Sequence, residues 1–160
     1  MSEVEKVFAY ITRNNSLLVF IHPDPETGVP DPVSGIQVPG GTIKEGELPE
    51  EAVMREAFEE TGLTKLKLGC FLGDNQYVYD PSVYGKEVIH HRHFFHIIFT
   101  QDTPTSWRTV EKDPSDDPGH TVLFEFYWVS LNDVIPELVA GQGLLLDKLI
   151  ARMNLKKNEK

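Results

Sequence analysis

Between Glu47 and Glu60 the chain carries carboxylates at a spacing that could do chemistry. Arg55, Glu56, Glu59 and Glu60 fall within six residues. On a helix, Glu56, Glu59 and Glu60 (i, i+3, i+4) share one face. Like charges at that spacing repel by a few tenths of a kcal/mol per pair, so helix stability does not account for them. A divalent cation would. Taken as a bare Glu–Glu pair the run reads as a solvated acidic face, but its surroundings argue otherwise. Gly40 and Gly41 precede it, Glu47 stands at its mouth, and Arg55 directly precedes the first carboxylate.

The helix that must carry these residues is well marked. Pro49 suits a first helical position, Glu50 and Glu51 favour the positive end of the helix dipole, and Gly62 is a natural stop. The whole arrangement resembles the Nudix hydrolase signature: G, five residues, E, seven residues, R-E-U-x-E-E-x-G-U, with U aliphatic. Gly41, Glu47, Arg55, Glu56, Glu59, Glu60, Gly62 and Leu63 match it. Ala57 takes the first aliphatic position, a departure that bears on packing rather than chemistry. Seven polar and glycine identities at about 7% each make coincidence at one position roughly 10⁻⁸.

The resemblance implies an α/β fold, a Nudix-type α/β/α sandwich around a mixed β-sheet. It also implies a metal-dependent pyrophosphohydrolase that cleaves a phosphoanhydride in a nucleoside diphosphate linked to another group. Its metal would be Mg²⁺ or Mn²⁺, held by Glu56, Glu59, Glu60 and the Gly40 carbonyl. Glu56, Arg55 and Glu59 would be the catalytic residues, with Glu56 as general base, and Glu47 and Gly41 would support them. In some members the base or a further ligand is an acid outside the box; Glu111, Asp113, Asp116, Asp117 and Glu125 all stay open. Dinucleoside polyphosphate enzymes often carry a tyrosine 16–18 residues past the box, where Tyr79 stands. Tyr79, His91 and His93 are the candidate substrate-binding residues. The competing reading is a catalytically silent domain of this fold that senses a nucleotide or a protein.

Composition sets outer bounds. With 160 residues, residues 1–155 read as one domain and 156–160 as a frayed tail. The net charge of −10 disfavours a polynucleotide partner, and no apolar run is long enough to span a bilayer. A lone Cys70 and a charged N-terminus point to a cytoplasmic protein. A monomer or a homodimer is expected.

Alternation predicts strands at Val7–Thr12, Leu17–Ile21, Ile36–Pro39, Lys65–Leu72, Val88–Thr100 and Val122–Val129, with a turn after Gly73 leading into another. Val88–Thr100 is apolar on both faces and reads as central. Residues 22–35 and 101–120, rich in proline, read as loops. A short helix follows Ser130 or Asn132 as far as Leu138. A last helix spans Leu144–Leu155, with Leu145, Leu149 and Met153 as its core stripe. His90, His91, His93 and His96 alternate between faces, which argues against their converging on zinc. Selectivity is expected from residues 22–35, from Tyr77 to His96, and from 101–120 with Trp107.

Overall fold

The structure is a computed structural model that describes residues 2–30, 35–112 and 121–153. Its frame is a seven-stranded mixed sheet. The strands are β1 (Ser2–Arg13), β2 (Ser16–Ile21), β3 (Gly40–Thr42), β4 (Lys67–Tyr79), β5 (Val88–Ile98), β6 (Ser106–Lys112) and β7 (Thr121–Ser130). Their order is β4-β5-β1-β2-β7-β6, with β3 added to β1. Among the described strands only β1 and β5 run parallel; the other pairs are antiparallel.

Each face of the sheet has its own core. On one, Ala52, Val53 and Ala57 of helix α1 (Pro49–Thr61) pack against Val7, Ile11, Phe20, Phe95, Ile97 and Phe126. Ala57 is fully buried there, so the small side chain lets α1 lie close to the sheet. On the other face, Leu146 and Leu149 of α3 (Leu146–Arg152) pack against Phe8, Tyr10, Leu17, Val19 and Phe94. Helix, sheet and helix form the α/β/α sandwich. A four-residue helix, α2 (Pro81–Tyr84), links β4 to β5.

Several elements differ from the sequence reading. Lys67–Tyr79 is one long strand, and Gly73 (φ 149°) marks a register shift within it rather than a turn. The expected strand at Ile36–Pro39 reduces to isolated bridges at Ile36 and Gln37, and the glycine pair itself forms β3. Residues 106–112, expected as loop, form β6, paired along its length with β7. The helix expected from Ser130 or Asn132 to Leu138 does not form; a turn leads to a 3-10 turn at Val139–Gly141, because Pro136 breaks the pattern. The last helix covers only Leu146–Arg152, where Leu149 is its fully buried residue while Leu145 and Met153 are partly buried. Residues 154–160, including the expected tail, lie outside the described residues. Among the described residues no helix is long and apolar enough to cross a membrane.

Candidate active site

The site is built where α1 meets β3 and β6. Pro49 opens α1, and Glu51 accepts a hydrogen bond from the Leu48 N–H at 3.0 Å. Gly62, at φ 76°, ends it by donating its N–H to the Phe58 carbonyl at 2.9 Å. The last carbonyls of a helix lack partners within it. Here β6 supplies two: Thr109 Oγ1 donates to the Glu60 carbonyl at 2.6 Å, and Trp107 Nε1 to the Thr61 carbonyl at 2.9 Å. Trp107, stacked on Phe126, therefore anchors the helix.

Arg55 ties the acidic residues together. Its Nε donates to Glu47 Oε2 at 2.7 Å and its Nη2 to Glu47 Oε1 at 2.9 Å, a bidentate pair. Nη1 donates to Glu56 Oε1 at 2.8 Å and to Glu59 Oε2 at 3.2 Å, and Nη2 also reaches the Thr42 carbonyl at 3.0 Å. Glu47 accepts a further bond from the Lys44 N–H, which closes the loop before the helix. With these donors the Glu47 carboxyl falls to about 2, the Arg55 hydrogen bond being the largest cause.

Glu56 and Glu60 shift the other way. Burial lifts the Glu56 carboxyl above its ordinary value, against the pull of Arg55, and Glu59 and Glu111 add repulsion. Glu60 is raised further, again chiefly by burial, although Oε1 accepts the Gly40 N–H at 2.8 Å. Glu56, Glu59 and Glu60 line one cleft with Thr109, Val110 and Glu111 of β6 and Phe124 of β7. The glycines are required by contact. A Cβ on Gly41 would stand 2.2 Å from the Glu56 carboxyl carbon, and one on Gly40 would stand 2.5 Å from the Val7 carbonyl oxygen.

A family model for the NUDIX domain matches residues 4–149. The chain belongs to the Nudix family. It is a Nudix hydrolase, an enzyme of pyrophosphate bonds. A search of curated protein sequences returns no match. Among solved structures, the NUDIX domain of Shewanella oneidensis NrtR, complexed with ADP ribose, is similar at TM-score 0.57 and 14% identity, over 96% of this chain and 90% of that one. A C. elegans Ap4A hydrolase is similar at TM-score 0.55 and 21% identity, over 96% and 99%. A MutT NUDIX hydrolase from Burkholderia pseudomallei is similar at TM-score 0.51 and 21% identity, over 93% and 99%. At these identities the likeness is one of fold.

Against this Nudix frame the candidate residues separate. Gly40, Gly41, Glu47, Arg55, Glu56, Glu59 and Glu60 stand together. Of the five acids outside the box, Glu111 lines the cleft, and Glu125 is instead paired with Arg108 at 2.9 Å. Asp113, Asp116 and Asp117 lie outside the described residues. His91 and His93 pair with Glu3 and Glu5 across the β1–β5 ladder, and Tyr79 packs against Tyr77, Tyr84 and His90. None of these three lines the carboxylate cleft. Trp107, expected to serve selectivity, bonds the end of α1, and Thr109, which does the same, was not singled out in the sequence. The signal for both is the period-2 alternation of Trp107, Thr109 and Glu111, which puts all three on the α1 side.

Among the described residues no group of three His, Cys, Asp or Glu side chains is drawn closely enough together to hold a metal ion. The reason lies in their present bonds: Glu56 and Glu59 turn one oxygen each to Arg55, and Glu60 turns one to Gly40. The donor set nevertheless suits a hard cation. It is all carboxylate and carbonyl oxygen, and burial first, with repulsion from neighbouring carboxylates second, raises the Glu56 and Glu60 carboxyls.

Proposed function

We propose that this chain is a divalent-metal-dependent pyrophosphohydrolase cleaving a phosphoanhydride in a nucleoside diphosphate linked to another group. The observation carrying this reading is the cleft, which sets three carboxylates of one helix face against Glu111 of β6. Such crowding opposes folding and is explained by a ligand that neutralises it. Ap4A and ADP-ribose, named with two of the structural neighbours, are both nucleoside diphosphates carrying a further group.

Glu56, Glu59, Glu60 and the Gly40 carbonyl would hold Mg²⁺ or Mn²⁺. When bound, the ion neutralises phosphate charge and lowers the pKa of a coordinated water. The chain's own residues do the rest. Arg55 holds Glu56 and Glu59 from one guanidinium and stays charged, because Glu47 and Glu56 raise its pKa. Glu56, with its carboxyl raised, is suited to take a proton from the attacking water. Glu111 is the acid placed to assist from outside the box. Tyr79 would stack on a base, an interaction worth about 1–3 kcal/mol per base in other nucleotide sites.

The test is a hydrolysis panel of nucleoside triphosphates, dinucleoside polyphosphates, ADP-ribose and nucleotide sugars, with the nucleotide products separated by chromatography. At least one is turned over, EDTA abolishes that turnover, and Mg²⁺ or Mn²⁺ restores it. Turnover that persists in chelator contradicts the proposal.

A further inference from the structure

Helix α1 ends against the usual electrostatic preference of a helix. The C-terminal end of a helix carries partial negative charge and favours cations. The last turn of α1 has no basic residue and holds Glu59 and Glu60 instead. The Gly62 N–H closes the Phe58 carbonyl at 2.9 Å, which leaves the Glu60 and Thr61 carbonyls to find donors outside the helix.

Both donors come from β6, an edge strand with β7 as its neighbour in the sheet. Trp107 pairs with Phe126 and Thr109 with Phe124, and both phenylalanines belong to the core beneath α1. Trp107, Thr109 and Glu111 therefore face the helix together. Thr109 Oγ1 bonds the backbone of Glu60 itself, and Trp107 Nε1 that of the next residue. Glu111 lines the same cleft and acts electrostatically on both Glu56 and Glu60.

These two bonds oppose a repulsion. Without a cation, Glu56, Glu59 and Glu60 on the helix repel Glu111 on the strand, and an edge strand can yield. Arg55 does not hold that gap closed. Its bonds run to Glu47, Glu56, Glu59 and Thr42, so it ties the acids to one another and to β3 rather than to β6. The link between the two walls of the cleft is made by Thr109 and Trp107.

We propose that Thr109 and Trp107 are positioning residues for the hydrolase reaction: by tying the Glu60 and Thr61 carbonyls to β6 they set the width of the carboxylate cleft, and with it the affinity for the divalent cation. The inference rests on the metal-dependent reading above and deepens it. The hydroxyl and the indole N–H are both directed at carbonyls, so they act through the helix and not on the ion. With the gap fixed, the carboxylates stand ready for a cation. With it loosened, the cation must first draw them together, and affinity falls.

Trp128 provides a matched control. Its indole N–H also makes a 2.9 Å bond and its ring is also stacked, but the bond goes to Thr103 and the ring to Phe99, neither of them in α1. The experiment is Mn²⁺ titration followed by electron paramagnetic resonance, at a temperature where melting in EDTA shows each variant folded. Thr109→Val keeps the shape, loses the donor and weakens Mn²⁺ binding by about tenfold. Thr109→Ser, which keeps the hydroxyl, restores wild-type binding. Trp107→Phe keeps a ring on Phe126, weakens binding severalfold, and decides the matter if Thr109→Val does not fold. Trp128→Phe lowers the melting temperature and leaves Mn²⁺ affinity unchanged. Folded Thr109→Val and Trp107→Phe that bind Mn²⁺ as the wild type does overturn this inference alone, as does an equal loss in Trp128→Phe. A wild type that binds no Mn²⁺ overturns the metal-dependent reading and this inference with it.

Discussion

The two faces of the sheet carry opposite excesses of charge. On the α1 side Glu56, Glu59, Glu60 and Glu111 crowd one cleft, and Arg55 is already shared among Glu47, Glu56 and Glu59. On the α3 side Arg92 is buried among tyrosines with no acid among the described residues. Either arrangement alone would be a cost to folding, since buried charge is tolerated when compensated.

The comparison is broken most severely at the acidic end. Glu56→Gln keeps the shape and removes the charge, so turnover falls by about 10²-fold or more. Near-wild-type rates on every anhydride would remove Glu56 from the chemistry. Single-turnover assays make the measurement.

The glycines give a sharper, intermediate test. A Cβ at position 41 meets the end of the Glu56 side chain, which can swing away. Gly41→Ala therefore folds normally but loses about tenfold in turnover. At position 40 the obstacle is the Val7 carbonyl, and backbone cannot swing. Gly40→Ala lowers the melting temperature by roughly 5 °C or more. Equal melting temperatures for the two variants would contradict this geometry.

The smallest expected effect is on the pH dependence of stability without metal. Glu56 and Glu60 have folded carboxyls raised above the ordinary 4.5, so the folded state keeps protons that the unfolded chain releases. Their contribution is present below 4.5 and is lost as pH rises through the raised values. Glu47, lowered to about 2, does the reverse and contributes fully above 4.5. Buried His90 and His96, both lowered, also make stability rise with pH, up to about 6.5. The effect of Glu60 is therefore read as the difference between the wild type and Glu60→Gln, which removes it while His90 and His96 stay. In EDTA, Glu60→Gln gains melting temperature relative to the wild type as pH rises above 4.5, and Mn²⁺ narrows that gain. A difference that does not change with pH would mean Glu60 is not raised.

What was legible in the sequence follows the range over which each residue acts. Gly41 to Leu63 could be read because Pro49, Arg55, the three glutamates and Gly62 act within a helix at fixed spacing. Val88–Ile98 was legible as central because it is apolar on both faces. β6 was not, because Ser106–Lys112 is polar and its purpose lies in bonds from Trp107 and Thr109 to a helix 46 and 49 residues earlier. Arg92 gave no signal either. An arginine reads as a surface residue until strand register sets it opposite Asn75 and beside Tyr77.

The central claim, that the α1 carboxylates act through a bound divalent cation, is tested most directly by Mn²⁺ titration followed by electron paramagnetic resonance. The wild type binds Mn²⁺, Glu60→Gln weakens that binding by about tenfold or more, and Arg92→Leu leaves it unchanged. Mn²⁺ binding of equal strength in the wild type and Glu60→Gln, or none in the wild type, would contradict the account.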